Sequence, residues 1–244
     1  MSQASTAELL SSAGLLARLA EVSYPTIGHF LEDGFVDPAI QSLLDSSLTE
    51  DGFDAVKIAG TAVTVRIVDN DAIAMNRALL ALTPGSVLVV DMSGDHRHAP
   101  VGAVTAAAAK AQGAAGVVVD GVATDLLELR QTALPVFARG TSSLTTKRVY
   151  GTGSAVNVPV QCGGVTVNPG DFVLADSNGV LVLSGEAASA VVDLAAASDA
   201  AEPAILARIS AGELLDTILA LEDTVPEGPK PGPAPEPLAL PGPL

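Results

Sequence analysis

The chain has 244 residues with 12 basic and 28 acidic side chains, a formal charge of −16 at neutral pH. Such a surface repels phosphate backbones and anionic bilayers, so neither nucleic-acid binding nor membrane-surface binding is expected. Hydrophobic residues make up 48% and aromatics 3%, so Ala, Val and Leu must fill a core of ordinary domain size. The one cysteine, Cys162, forbids an intramolecular disulfide and reads as a buried structural thiol in a reducing compartment. No leader pattern opens the sequence and no uncharged apolar run reaches the ~18–20 residues of a membrane span. A cytoplasmic protein is expected.

In chain order, Ser5-Thr6-Ala7-Glu8 reads as a capping box for a helix carrying Leu9, Leu10, Leu15, Leu16 and Leu19, ended by Pro25. A second short helix is expected to begin between Gly28 and Leu31. Residues 56–68 alternate as a strand, with Gly60 as a bulge. Asp69-Asn70-Asp71 caps a helix over Ala72 to Leu82, and Pro84-Gly85 makes a turn. Two short valine runs, Val87 to Asp91 and Val117 to Asp120, flank an Ala-rich helix from about Val101 to Gln112 that stops at Gly113, the spacing of a parallel βαβ unit. A short helix over Leu126 to Thr132 and a third strand at Pro135-Val136-Phe137 follow. Beyond Asn157 the pattern changes to strands and tight turns, with Asn168-Pro169-Gly170-Asp171 as a type II turn and Asn178-Gly179 as a two-residue hairpin loop. A closing helix spans Ala187 to Ile209 and is interrupted at Pro203. Residues 225–244 hold eight Pro and three Gly and are expected to form a Pro-rich disordered tail after a domain over 1–224.

The chemistry concentrates in Val117-Val118-Val119-Asp120-Gly121-Val122-Ala123-Thr124-Asp125, a strand running into a Gly turn with carboxylates at its end. Open α/β sheets bind ligands at strand C-termini. A carboxylate held there needs a compensating partner, and a divalent cation is the simplest one. Asp120 is expected to serve the turn, while Asp91 has a similar context and faces the crevice. The helix start at Val101, Gly102, Ala103 and Val104 offers unpaired N–H groups for a ligand carboxylate.

Taken together, Gly60-Thr61-Ala62-Val63-Thr64-Val65, Pro84-Gly85-Ser86-Val87-Leu88-Val89-Val90-Asp91, Gly113 to Gly121, Leu134-Pro135-Val136-Phe137, and Val158-Pro159-Val160 through Asp176-Ser177-Asn178-Gly179-Val180 resemble the RraA-like family. That family includes the class II 4-hydroxy-4-methyl-2-oxoglutarate / 4-carboxy-4-hydroxy-2-oxoadipate aldolases and the regulator of ribonuclease activity A. The resemblance implies an α/β chain with the single-domain β/β/α swivelling-domain fold. It also implies a homotrimer or dimer of trimers with sites at subunit interfaces. In the aldolases an Arg-Asp pair follows the Val-Val-Asp-Gly strand, the Asp ligating Mg²⁺ or Mn²⁺ and the Arg contacting substrate. Here Asp125 stands at the metal position and Thr124 replaces the Arg. The aldolases also open the Ala-rich helix with Gly-Asp or Gly-Glu, where this chain has Gly102-Ala103. Glu202 falls where they place a Glu contributed by a neighbouring subunit to a water on the metal.

One Asp with water and substrate oxygens suits a hard ion such as Mg²⁺ or Mn²⁺, whereas zinc wants several His or Cys ligands. The loop Gly94-Asp95-His96-Arg97-His98 either supplies the charge missing at Thr124 through Arg97 and a proton through a His such as His98, or is a solvated loop capping the next helix. Arg130 is a second candidate cation or a plain surface charge. The expected function is a metal-dependent lyase on a small 2-oxo acid, by aldol cleavage or oxaloacetate-type decarboxylation. Two alternatives stand beside it: a non-catalytic trimeric binding or regulatory protein, and a diverged family enzyme that reuses the metal site for other C–C or C–O chemistry.

Overall fold

A computed structural model describes residues 12–44, 56–147 and 152–219. In its first half lie α1 (Ser12–Glu21), α2 (Tyr24–Ile27), β1 (Gln41–Ser42), β2 (Ile58–Arg66), α3 (Ala72–Ala81), β3 (Ser86–Asp91) and α4 (Ala103–Ala111). Then come β4 (Gly116–Asp120), α5 (Leu126–Thr132), β5 (Val136–Ala138), β6 (Ala155–Val156), β7 (Val160–Cys162) and β8 (Val165–Val167). The last elements are β9 (Phe172–Asp176), β10 (Gly179–Leu183), α6 (Gly185–Ser210) and α7 (Leu215–Leu219). The capping box at Ser5 to Glu8 and the tail over 225–244 lie outside the described residues.

The valine runs make the centre of a mixed α/β fold because both faces of their strands are covered, as parallel sheets require. Every residue of β3 is buried. The sheet order is β1-β5-β4-β3-β2-β9-β10, with β6 paired to the end of β2 and β7–β8 forming a separate hairpin. Strands β2 to β5 run parallel, and β1 and β9 close against them antiparallel. Alternation sorts the side chains: Leu88, Val90, Val117 and Val119 pack under α3, α4 and α5 with Met75, Ala106 and Leu129. Val87, Val89, Val118 and Phe137 face the β7–β8 hairpin and Cys162. Leu174 and Leu181 on the β9–β10 pair pack against Leu15, Leu19, Ile27 and Val191 of the helices.

The βαβ unit, the Asp71 cap and the Asn168 turn form as expected: Asp71 accepts the Ile73 N–H at 2.9 Å and Asp171 N donates to Asn168 O at 3.1 Å. Four local expectations are corrected. The first helix stops at Glu21, and Pro25 sits inside the first turn of α2 rather than ending α1, a position where its missing N–H costs nothing. Gly60 is no bulge; it lies in unbroken pairing with β9, and a Cβ there would come 2.4 Å from Gly85 O. The β9–β10 loop is Ser177-Asn178, since Asp176 pairs with Gly179 across it and the Asp176 carboxylate accepts the Asn178 N–H. Helix α6 continues through Pro203.

The chain divides into two units, Met1–Asp199 and Ala200–Leu244. The first carries the sheet and all three apolar clusters. In the second, Arg208 near the end of α6 donates through Nε to Glu213 in the turn before α7, at 2.8 Å. Among the described residues no helix is long and apolar enough to cross a membrane.

Candidate functional site

The two strands that end in Asp, β3 and β4, each hand the chain to a loop and then a helix, so the N-termini of α4 and α5 lie at one edge of the sheet. Between strand and helix the chain stays extended: Val101 bridges Ala123, and Ala123 bridges Thr141. Thr124 N donates to Val101 O at 2.9 Å. These bonds bring Gly102, the N-cap of α4, against Asp125, the N-cap of α5.

Asp125 adopts the left-handed conformation, φ 57° and ψ 46°, and its carboxylate does not cap its own helix. It turns to the neighbouring one. Oδ2 accepts the Ala103 N–H at 3.0 Å and Oδ1 accepts the Thr124 hydroxyl at 3.2 Å. An anion at a helix N-terminus is favoured by the unpaired N–H groups and the helix dipole. Left-handed backbone in a residue with a Cβ costs of order 1–2 kcal/mol and persists where the surroundings hold it. Gly102 makes the approach possible, because a Cβ there would lie 2.5 Å from Asp125 Oδ2 and 2.7 Å from Thr124 Cγ2. Gly102→Ala is therefore expected to push the carboxylate off the start of α4 and destabilise the fold by about 1–2 kcal/mol while the protein still unfolds cooperatively, which urea unfolding curves check.

Of the residues expected to bind substrate, Val101 is wholly buried and its carbonyl is used by Thr124, so it is framework. The Ala103 N–H belongs to Asp125. The next two amides of α4, on Val104 and Thr105, have no partner among the described residues. Asp125 is exposed and each of its oxygens has one partner, leaving acceptor capacity on both, since a carboxylate offers about four lone-pair sites. Among the described residues no group of three or more His, Cys, Asp or Glu converges. A lone exposed carboxylate fits a hard ion that keeps water and ligand oxygens, not a closed zinc cage. Glu202 is exposed on α6 within the second unit.

The loop before α4 is organised around Asp95, which the sequence reading did not single out. Its Oδ1 accepts the Arg97 and His98 amides at 2.8 and 3.2 Å, and its Oδ2 lies 2.6 Å from His98 Nδ1. Burial works to raise the Asp95 carboxyl, but the Arg97 amide, the His98 ring and the His98 amide outweigh it and hold it below its ordinary range. An ionised carboxylate only accepts, so Nδ1 carries the proton and Nε2 is the ring nitrogen with a lone pair. The spacing Asp-x-x-His was the available signal. Arg97 and Arg130 are exposed and make no side-chain bond among the described residues.

Asp120 and Asp91 face the opposite side of the sheet and are fully engaged. Asp120 accepts Arg139 Nε at 2.6 Å and the Gly163 N–H at 2.8 Å, and Arg139 also donates to Asp37 at 2.7 Å. Asp91 is buried rather than turned to an open crevice, accepting the Ser93 and Gln161 amides at 2.7 and 3.1 Å. Both carboxylates pin the β7–β8 hairpin. Burial, with Asp120 and Asp91 nearby, pushes the Cys162 thiol far up, so it is an inert core residue.

The model of the RraA-like family, described as Aldolase/RraA, matches residues 35–182. A protein of Halalkalibacterium halodurans named as a candidate 4-hydroxy-4-methyl-2-oxoglutarate aldolase is 38% identical over 127 residues, 52% of this chain; the match spans 60% of that relative's length. An uncharacterised protein of Pseudomonas syringae has a solved structure with a TM-score of 0.70 at 27% identity, covering 85% of this chain and 97% of that one. The RNA-processing inhibitor RraA from Thermus thermophilis superposes with a TM-score of 0.56 at 29% identity, covering 67% of this chain and 93% of that one. With more than half its length matched by the family model, the chain belongs to the RraA-like family.

Proposed function

We propose that this protein is a lyase acting on a small 2-oxo acid, breaking a carbon–carbon bond next to the carbon that becomes the methyl of pyruvate. The observation that carries this reading is the Asp125 carboxylate, exposed and clamped between two helix starts by Ala103 N–H and Thr124 Oγ. Its support from relatives is the aldolase name borne by the Halalkalibacterium protein. Asp125 would hold Mg²⁺ or Mn²⁺, and Glu202 is the second carboxylate the family resemblance assigns, supplied by another copy in a trimer or dimer of trimers. Such an ion, when bound, polarises the 2-oxo group and stabilises negative charge on its oxygen.

The chain's own residues do the rest. The Val104 and Thr105 amides, with Gly102 and Ala103 fixing their direction, receive the substrate C1 carboxylate. Thr124 keeps the Asp125 carboxylate in one orientation. In the cleavage the C3–C4 electron pair passes to C3, the C4 hydroxyl loses its proton, and C3 takes a proton. His98 is our choice for that donor. It lies four residues before Gly102, the N-cap of α4, with its ring bonded to Asp95. Asp95 fixes its tautomer. His98→Gln is expected to lower kcat by about 10²-fold while leaving Mg²⁺ affinity unchanged, as loss of a general acid should.

The reading is tested by pyruvate release from 4-hydroxy-4-methyl-2-oxoglutarate, related 4-hydroxy-2-oxo acids and oxaloacetate with added Mg²⁺. Turnover abolished by Asp125→Ala supports it; no turnover of any compound ends it. The structural likeness to the Thermus RNA-processing inhibitor supports a second reading, a binding protein without catalysis. Absence of turnover together with absence of Mg²⁺ or oxo-acid binding would favour that one.

A further inference from the structure

The approach to Asp125 carries no positive charge on either helix start. The first turn of α4 is Ala103-Val104-Thr105-Ala106 and that of α5 is Leu126-Leu127-Glu128-Leu129. The charges there are Asp125 and Glu128, both negative, on a chain of net charge −16. The basic residues of these helices lie at their far ends: Lys110 is spent on Thr132 O at 2.5 Å, and Arg130 is in the last turn of α5. What the two first turns present instead is apolar. Val104 is 84% exposed and Leu127 is 68% exposed, each two positions into its helix and so within one turn of the carboxylate that joins them. Large apolar side chains bared beside polar groups at the mouth of a site mark a surface that a ligand covers.

Resting on the reading of Asp125 as the centre of a 2-oxo acid lyase, we infer that the preferred substrate is a monocarboxylate: a 4-hydroxy-2-oxo acid whose C4 bears neutral alkyl groups, seated against Val104 and Leu127, rather than a second carboxylate. The single C1 carboxylate takes the free Val104 and Thr105 amides. A carboxylate on C4 would find no basic side chain in either first turn and would meet the acidic Glu128 at the start of α5. Alkyl groups there remove apolar surface from water on both partners. The bond change is that of any retro-aldol step: the C3–C4 bond breaks, its electron pair goes to C3, and C4 leaves as a ketone, so no oxidant or reductant is needed.

The test uses the full chain with Mg²⁺ and two compounds that differ only in methyl against carboxylate at C4. These are 4-hydroxy-4-methyl-2-oxopentanoate, which gives pyruvate and acetone, and 4-hydroxy-4-methyl-2-oxoglutarate, which gives two pyruvates. The monocarboxylate is expected to show kcat/KM at least about tenfold higher, and Val104→Lys or Leu127→Arg is expected to shift the ratio about tenfold toward the diacid. Calorimetry with the uncleaved 4-methyl-2-oxopentanoate and 2-oxoglutarate should show the same order of affinity. A diacid preference in the unaltered protein, or a ratio that Val104→Lys and Leu127→Arg leave unmoved, overturns the inference and keeps the lyase. Cleavage of neither compound, nor of oxaloacetate, overturns the lyase reading itself.

Discussion

Asp125→Ala is expected to abolish pyruvate release, by at least about 10³-fold, and to destabilise the fold by about 1 kcal/mol, because the same carboxylate serves a ligand and the start of α4. The two losses have separate causes. Gly102 has no side chain with which to cap α4, so the Asp125 oxygen is the acceptor for the Ala103 N–H. Asn at 125 keeps an acceptor oxygen and tolerates the left-handed backbone, yet carries no charge for a cation. Asp125→Asn should therefore unfold within about 0.5 kcal/mol of the parent while remaining as inactive as the Ala variant. Urea unfolding and a coupled pyruvate assay on the two variants check this. Equal activity of Asp125→Asn and the parent would reduce Asp125 to a helix cap.

The largest effect on stability alone is expected at Arg139. Its guanidinium is 18% exposed and bonded to Asp120, itself 17% exposed, and to Asp37. Asp120 in turn holds Gly163 of the β7–β8 hairpin. Arg139→Met leaves Asp120 beside the core without its counter-charge, and about 3 kcal/mol of unfolding free energy should be lost. Pairing that change with Asp120→Asn should recover most of the loss, since the amide oxygen still accepts the Gly163 N–H and no charge is left stranded. Guanidinium unfolding of the single and double variants at neutral pH measures both. Mg²⁺ affinity should not move in either, because the network lies on the face of the sheet away from Asp125.

How much of this was legible beforehand follows from where the causes lie. The β3–α4–β4–α5–β5 succession was readable because each step is local: a valine run, a Gly stop at Gly113, a short amphipathic stretch after Asp125. Asp71 and the Asn168 turn were local too. Gly60 was misread as a bulge because its cause is the Gly85 carbonyl on the neighbouring strand. Pro203 was misread because a helix otherwise rich in Ala tolerates the loss of one bond. At the site, Asp125 and the Gly102 to Val104 backbone could be named from motif and helix start. That Asp125 caps the other helix could not, since the bond spans 22 residues. The Arg139 network joins positions 19 and 102 residues apart, and no local pattern announces it.

If Asp125 holds a hard dication where a 2-oxo acid can reach it, calorimetric titration of the purified chain with Mg²⁺ or Mn²⁺, with and without oxalate, should show it. Saturable binding is expected, tightened by oxalate and removed by Asp125→Asn. Unchanged binding in that variant, or none in the parent, would contradict it.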